Sequence, residues 1–180
     1  MKNKEPYNII FLDMDGVINN QDFITEWINN HPSEDHDRIT FNKTYCLHGI
    51  YYIVPYLLER FNNLYNSIPN CKIVWSSSWR LGNRDSKLFI EALYNSCGFP
   101  KNSFLSYTPY LNGAPRADEI TKWIKSFSDI YNINKCAIID DDSDAEINHQ
   151  INKIECKFFK TNPKEGLTEN IASEIKNYFS

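Results

Sequence analysis

The sequence predicts a doubly wound α/β fold built on a mainly parallel sheet. Short apolar runs rich in β-branched and aromatic residues alternate with segments of helical period. The first three runs lack polar alternation, as strands covered on both faces do. A β-α-β-α order of this kind implies right-handed crossovers between parallel strands.

Each element follows from a local pattern. Tyr7–Leu12, Cys71–Trp75, Cys136–Ile139 and Cys156–Phe159 read as strands. Val54, Leu57, Leu58, Phe61, Leu64 and Tyr65 fall on one stripe of a helix. Residues 85–97 form a second helical segment, stopped by Gly98. Ile120, Trp123, Ile124 and Phe127 form a third stripe, opened by Pro115. Ile171, Ile175 and Phe179 make a closing helix, with Thr168 as its N-cap.

The 180 residues fit a single domain, 1–180, with 19–47 as a flap or small cap excursion after the first strand. That Asn-rich stretch carries His31, Glu34, Asp35, His36 and Cys46, with His48 just beyond. Their spacing matches no compact zinc pattern, so a polar flap is the better reading. Residues 81–115 are too few for a large lid, and a thinly covered crevice suits an extended or macromolecular substrate.

Composition narrows the function classes. Hydrophobic residues at 42% and charged residues at 23% exclude wholesale disorder. A net charge of −4 argues against coating duplex nucleic acid by charge alone, while leaving local contact open. Five cysteines without a C-x-x-C suit a reducing compartment. Asp13 interrupts the apolar start before it can serve as a signal peptide. No apolar stretch approaches the roughly 20 residues of a membrane span. A cytoplasmic protein with no membrane partner is expected.

Parallel strands bring their carboxyl ends to one edge, where such sheets bind ligands. The first strand runs into Asp13-Met14-Asp15-Gly16, the second into Ser76-Ser77-Ser78-Trp79-Arg80, and a later one into Asp140-Asp141-Asp142-Ser143-Asp144. So many carboxylates around one crevice are unfavourable unless a cation sits among them or some stay protonated. Oxygen-only ligands select a hard ion, and Mg²⁺ is the obvious one. Trp79 beside Arg80 leaves two readings open. The pair either stacks a nucleobase and clamps a phosphate, or comprises a core indole and a surface ion pair.

Phe11-Leu12-Asp13-Met14-Asp15-Gly16-Val17-Ile18, the strand ending in Ser76, and Ile138-Ile139-Asp140-Asp141 resemble the motifs of the haloacid dehalogenase-like (HAD) hydrolases. A narrower resemblance is to the small HAD domains of Swiss Army Knife RNA-repair proteins. It rests on Trp75 to Arg80, Tyr107-Thr108-Pro109, Arg116 to Ile120, Asp140 to Asp144 and Gly166-Leu167-Thr168. The phosphatase half of polynucleotide kinase-phosphatases shares the Asp140-Asp141 form.

The resemblance implies a HAD core without a large cap, and a Mg²⁺-dependent phosphatase. Asp13 would accept the phosphoryl group, and Asp15 would protonate the leaving oxygen and then activate water. Ser76 would bind a phosphoryl oxygen; beside it Ser77, and on the stacking reading Trp79 and Arg80, are the candidate substrate contacts. Asp13, Asp141, the supporting Asp140 and the main-chain carbonyl of Asp15 would surround the metal. The family's usual Lys is not evident; Arg116 and Lys122 are the candidates. Arg116 is preferred, because Lys122 lies about 9 Å deeper along the helix. The expected partner is a phosphorylated substrate, with a polynucleotide or nucleotide terminal phosphate as the leading case. A phosphoprotein or metabolite phosphatase and a non-catalytic Mg²⁺-binding module are the alternatives.

Overall fold

The computed structural model describes residues 5–30, 40–41, 44–47, 51–82, 90–91 and 93–180. Its centre is a six-stranded sheet: β1 (Tyr7–Leu12), β5 (Cys71–Trp75), β6 (Phe104–Tyr107), β7 (Ile133–Asp140), β8 (Gln150–Ile151) and β9 (Ile154–Lys160). The spatial order is β6-β5-β1-β7-β9-β8, parallel throughout except for the β8–β9 pair. This is the doubly wound parallel sheet the apolar runs imply, widened by β6 and β8.

Alternate residues of the central strands serve opposite faces. Ile10, Leu12, Ile73, Trp75 and Ile139 pack with α2 (Pro55–Ser67) and α5 (Glu169–Phe179), through Phe61, Leu64, Ile175 and Phe179. Ile9, Phe11, Val74, Cys136 and Ile138 pack on the other face under α4 (Arg116–Phe127), against Ile120, Trp123 and Ile124. Both layers exclude water, so the strands read as continuous apolar runs. Thr168 caps α5 as expected, its Oγ1 accepting from the Ile171 N–H at 3.3 Å.

The remaining elements are short. The stretch expected as an irregular excursion contains α1 (Gln21–Asn30) and contributes β2 (Thr40–Phe41) and β3 (Thr44–Leu47) to a three-stranded antiparallel sheet with β4 (Tyr51–Ile53). His31, Glu34, Asp35, His36 and His48 lie outside the described residues. So does most of the first half of the helix expected over 85–97; its last five residues, Leu93–Cys97, form a π-helical turn. A single helical turn, α3 (Trp79–Gly82), follows β5 closely.

At the carboxyl edge the ladder continues one residue past the strands. Asp13 N–H donates to Ile139 O, Ser76 N–H to Leu12 O, Thr108 N–H to Trp75 O and Thr161 N–H to Asp140 O, at 2.9–3.0 Å. Those four positions are thereby fixed by backbone. At the β9 edge, beyond the two-residue β8, the Cys156 N–H donates to His149 O at 3.2 Å and the Phe158 N–H to Asn148 Oδ1 at 3.0 Å.

Candidate active site

The carboxyl edge gathers the acidic residues that the sequence places at strand ends. Asp13 follows β1 and Asp140 ends β7; they are 6% and 2% exposed. One carboxylate oxygen from each of Asp13, Asp140 and half-buried Asp141 lies within 4.8 Å of the others. The loop after β1 makes room for this. Gly16 sits at φ +66°, and a Cβ there would lie 2.5 Å from Asp141 Cγ. Glycine is thus required twice, for the left-handed backbone and for the carboxylate packed against it.

Crowding and burial set the electrostatics. Burial pushes the Asp13 carboxyl up to about 7, against the opposing pull of the Arg116 guanidinium and a hydrogen bond from Ser77. Asp140 is pushed up to about 8 by burial and then by the charge of Asp13. Asp141 is raised too, chiefly by burial. The Asp142 N–H donates to Asp140 Oδ1 at 2.9 Å, fixing one of its oxygens. Asp13 Oδ1 and Ser76 Oγ are buried and have no hydrogen-bond partner among the described residues. Buried oxygens without donors, beside carboxyls that resist ionisation, suit a hard divalent cation.

Asp15 takes a different position. It is exposed, its Oδ1 accepts from Asn19 Nδ2 and its Oδ2 from Trp79 Nε1, both at 2.8 Å. Its carboxylate stands outside the three-residue cluster, and the share in a metal site expected of Asp15 is that of its main-chain carbonyl. Asn19 completes the turn by accepting from the Gly16 N–H at 2.9 Å.

The serine segment and α4 bring the positive charge. Arg116, half-buried in the first turn of α4, donates through Nη1 to the Ser76 carbonyl. Lys122 is exposed farther along the helix, so the structure brings Arg116, of the two candidates, to the cluster. Ser77 is fully buried, and its hydroxyl serves Asp13.

Trp79 and Arg80 differ from the substrate-binding role expected of them. Trp79 is 3% exposed, which leaves no ring face for a base; its indole N–H is spent on Asp15. Arg80 is 8% exposed and donates to the Thr108 and Ser77 carbonyls and to Glu119 Oε2, the last at 2.5 Å. Trp79 is a core indole, and the ion pair of Arg80, expected at the surface in that reading, is buried instead.

Sequence alone does not single out three residues that hydrogen-bond to the site: Asn19, Glu119 and Thr108. Glu119 carries a signal in retrospect. It lies three residues after Arg116 and points inward with the apolar stripe of α4, where a carboxylate needs a buried cation.

A family model described as the HAD domain in Swiss Army Knife RNA repair proteins matches residues 9–172. The structure is similar to that of the HAD domain of effector protein Lem4 from Legionella pneumophila. The TM-score is 0.52 at 16% identity, over 98% of this chain and 94% of that one. At that identity the likeness concerns the fold. No curated protein matches the chain by sequence.

Proposed function

The chain belongs to the HAD domains found in Swiss Army Knife RNA repair proteins, and from that premise we propose that it is a Mg²⁺-dependent phosphohydrolase working through a phospho-Asp13 intermediate. The observation that carries this reading is the buried Asp13 oxygen without a donor, on the same strand-end edge as the donor-free Ser76 Oγ and under the pull of the Arg116 charge. A nucleophile and a phosphoryl-oxygen donor are both left available there.

In the first step an Asp13 carboxylate oxygen forms a bond to phosphorus while the bond to the leaving oxygen breaks. Asp15 gives that oxygen a proton. In the second step Asp15 takes a proton from water, whose oxygen attacks phosphorus. Inorganic phosphate leaves and the Asp13 carboxylate is restored. Ser76 Oγ and Arg116 hold the non-bridging oxygens as negative charge shifts among them. Trp79 and Asn19 keep the Asp15 carboxylate turned by two hydrogen bonds, so it must release at least one to reach a leaving group. Asp13, Asp140 and Asp141 would hold Mg²⁺, which would offset the repulsion between these carboxylates and an incoming phosphate.

A terminal phosphate on a polynucleotide is the proposed substrate. The family description supports this by naming RNA repair. A panel with Mg²⁺ tests it: 3′- and 5′-phosphorylated oligonucleotides, a phosphopeptide and p-nitrophenyl phosphate. Preference for an oligonucleotide end is expected. Preference for the peptide would move the substrate to protein, and no turnover at all would favour a binding module. Asp13→Asn should abolish turnover with its melting temperature preserved or raised, since a neutral amide relieves the buried acidic cluster. Substantial activity in that variant would exclude the covalent route.

A further inference from the structure

We infer that Glu119 is a positioning residue: the buried Arg80–Glu119 pair fixes the guanidinium of Arg116 toward the phosphoryl pocket. The inference rests on the phosphatase reading for what that pocket binds, and on geometry for the rest.

Glu119 is 4% exposed and its carboxylate is held on both oxygens. Oε1 accepts from the Leu111 N–H at 3.0 Å, and Oε2 accepts from Arg80 Nη2 at 2.5 Å. Arg80 is itself held by two carbonyls, Ser77 after β5 and Thr108 after β6. A carboxylate so tied cannot move independently of those strand ends. The same Oε2 lies 3.9 Å from Arg116 Nε, three residues back on α4. Arg116 is therefore held from one side by this fixed charge and from the other by the Ser76 carbonyl. A long side chain that would otherwise sample several rotamers stands in one place.

The charge balance gives the arrangement a direction. Two guanidiniums share one carboxylate, leaving one unit of positive charge uncompensated within the group. Arg80 is committed to Glu119 and two carbonyls, so the unspent charge belongs to Arg116, on the Asp13 side. That charge already pulls on the Asp13 carboxyl, and a phosphoryl group bound beside Asp13 would meet it there.

A purely structural role predicts something different: Glu119 would serve only to neutralise Arg80. A double-mutant cycle separates the two. Arg80→Gln with Glu119→Gln removes both buried charges together, so neither is left uncompensated in the fold. In this double variant the melting temperature should stay within a few degrees of wild type, while kcat/KM for p-nitrophenyl phosphate falls about thirtyfold or more. Adding Arg116→Ala should then cost at most about threefold, against about a hundredfold in the wild-type background. Full activity in the double variant, or an equal cost of Arg116→Ala in both backgrounds, overturns the proposal. Should the double variant fail to fold, Glu119→Asp keeps the charge but draws it back. It should show the same loss in kcat/KM, and wild-type kcat/KM there counts against positioning. Calorimetric affinity for inorganic phosphate with Mg²⁺ is read across the same cycle. A wild-type protein that turns nothing over but shows the coupling in phosphate affinity would remove the phosphatase reading and keep the positioning role.

Discussion

At the scale of a residue, Gly16 shows how closely the acidic centre is packed. Any side chain there meets both a left-handed backbone and the Asp141 carboxylate at 2.5 Å. Gly16→Ala should cost about 1–3 kcal/mol of stability from the backbone alone. It should also weaken Mg²⁺ binding at least several-fold by displacing Asp141. Chemical denaturation and a Mg²⁺ titration of activity measure the two effects separately. The acidic residues were legible in sequence because their chemistry demands carboxylates at strand ends, and few other arrangements explain Asp13-x-Asp15 matched with Asp140-Asp141. Trp79 and Arg80 were not legible. Their burial depends on Asp15 and on Glu119, 39 positions away, and no local pattern reports a partner so distant.

At the scale of an element, α4 links the far sheet face to the site. Its first turn carries Arg116 and Glu119, while Trp123 fixes its body. The Trp123 ring lies edge-on to Phe11 with centroids 5.4 Å apart, stacks on Tyr131, and donates Nε1–H to Ser106 Oγ at 2.7 Å. Trp123→Ala should cost about 3–5 kcal/mol by denaturant unfolding, because a fully buried indole leaves a large cavity. The helices were legible wherever an apolar stripe recurs at helical spacing, as in α2, α4 and α5. β6 was not, for a physical reason. As an edge strand, its Phe104–Tyr107 residues are only partly buried or exposed, so selection for an apolar run is weak. The two-residue β8 is below what any periodicity can report.

At the scale of the whole molecule, the convergence of strands on one acidic edge ties global stability to pH and, on the proposed function, to metal. Asp13 and Asp140 titrate at about 7 and about 8 in the fold, against 3.8 for an unperturbed carboxyl. Between those values the native state binds more protons than the unfolded chain, so stability falls as pH rises. The contribution is fully present below pH of about 4 and lost once pH passes about 8. Metal-free protein should therefore melt several degrees lower at pH 8 than at pH 5.5. Mg²⁺ should restore more of that loss at pH 8, where fewer protons compete for the carboxylates. Scanning calorimetry at the two pH values, with EDTA or with Mg²⁺, checks this; a melting temperature that climbs with pH in EDTA contradicts it.

The finish of the β9 edge has a consequence for how copies of the chain meet in concentrated solution. An outer strand with unspent amide donors is a template on which another chain can lay a strand, the first step toward ordered aggregates. Here the Cys156 and Phe158 amides already donate to His149 and Asn148, so an incoming strand would have to displace them. The exposed Lys157 and Lys160 add like-charge repulsion between two such edges. One asparagine side chain and a turn of backbone thus do along β9 what a full-length outer strand would do: they cover the amides on which the sheet would grow at this edge.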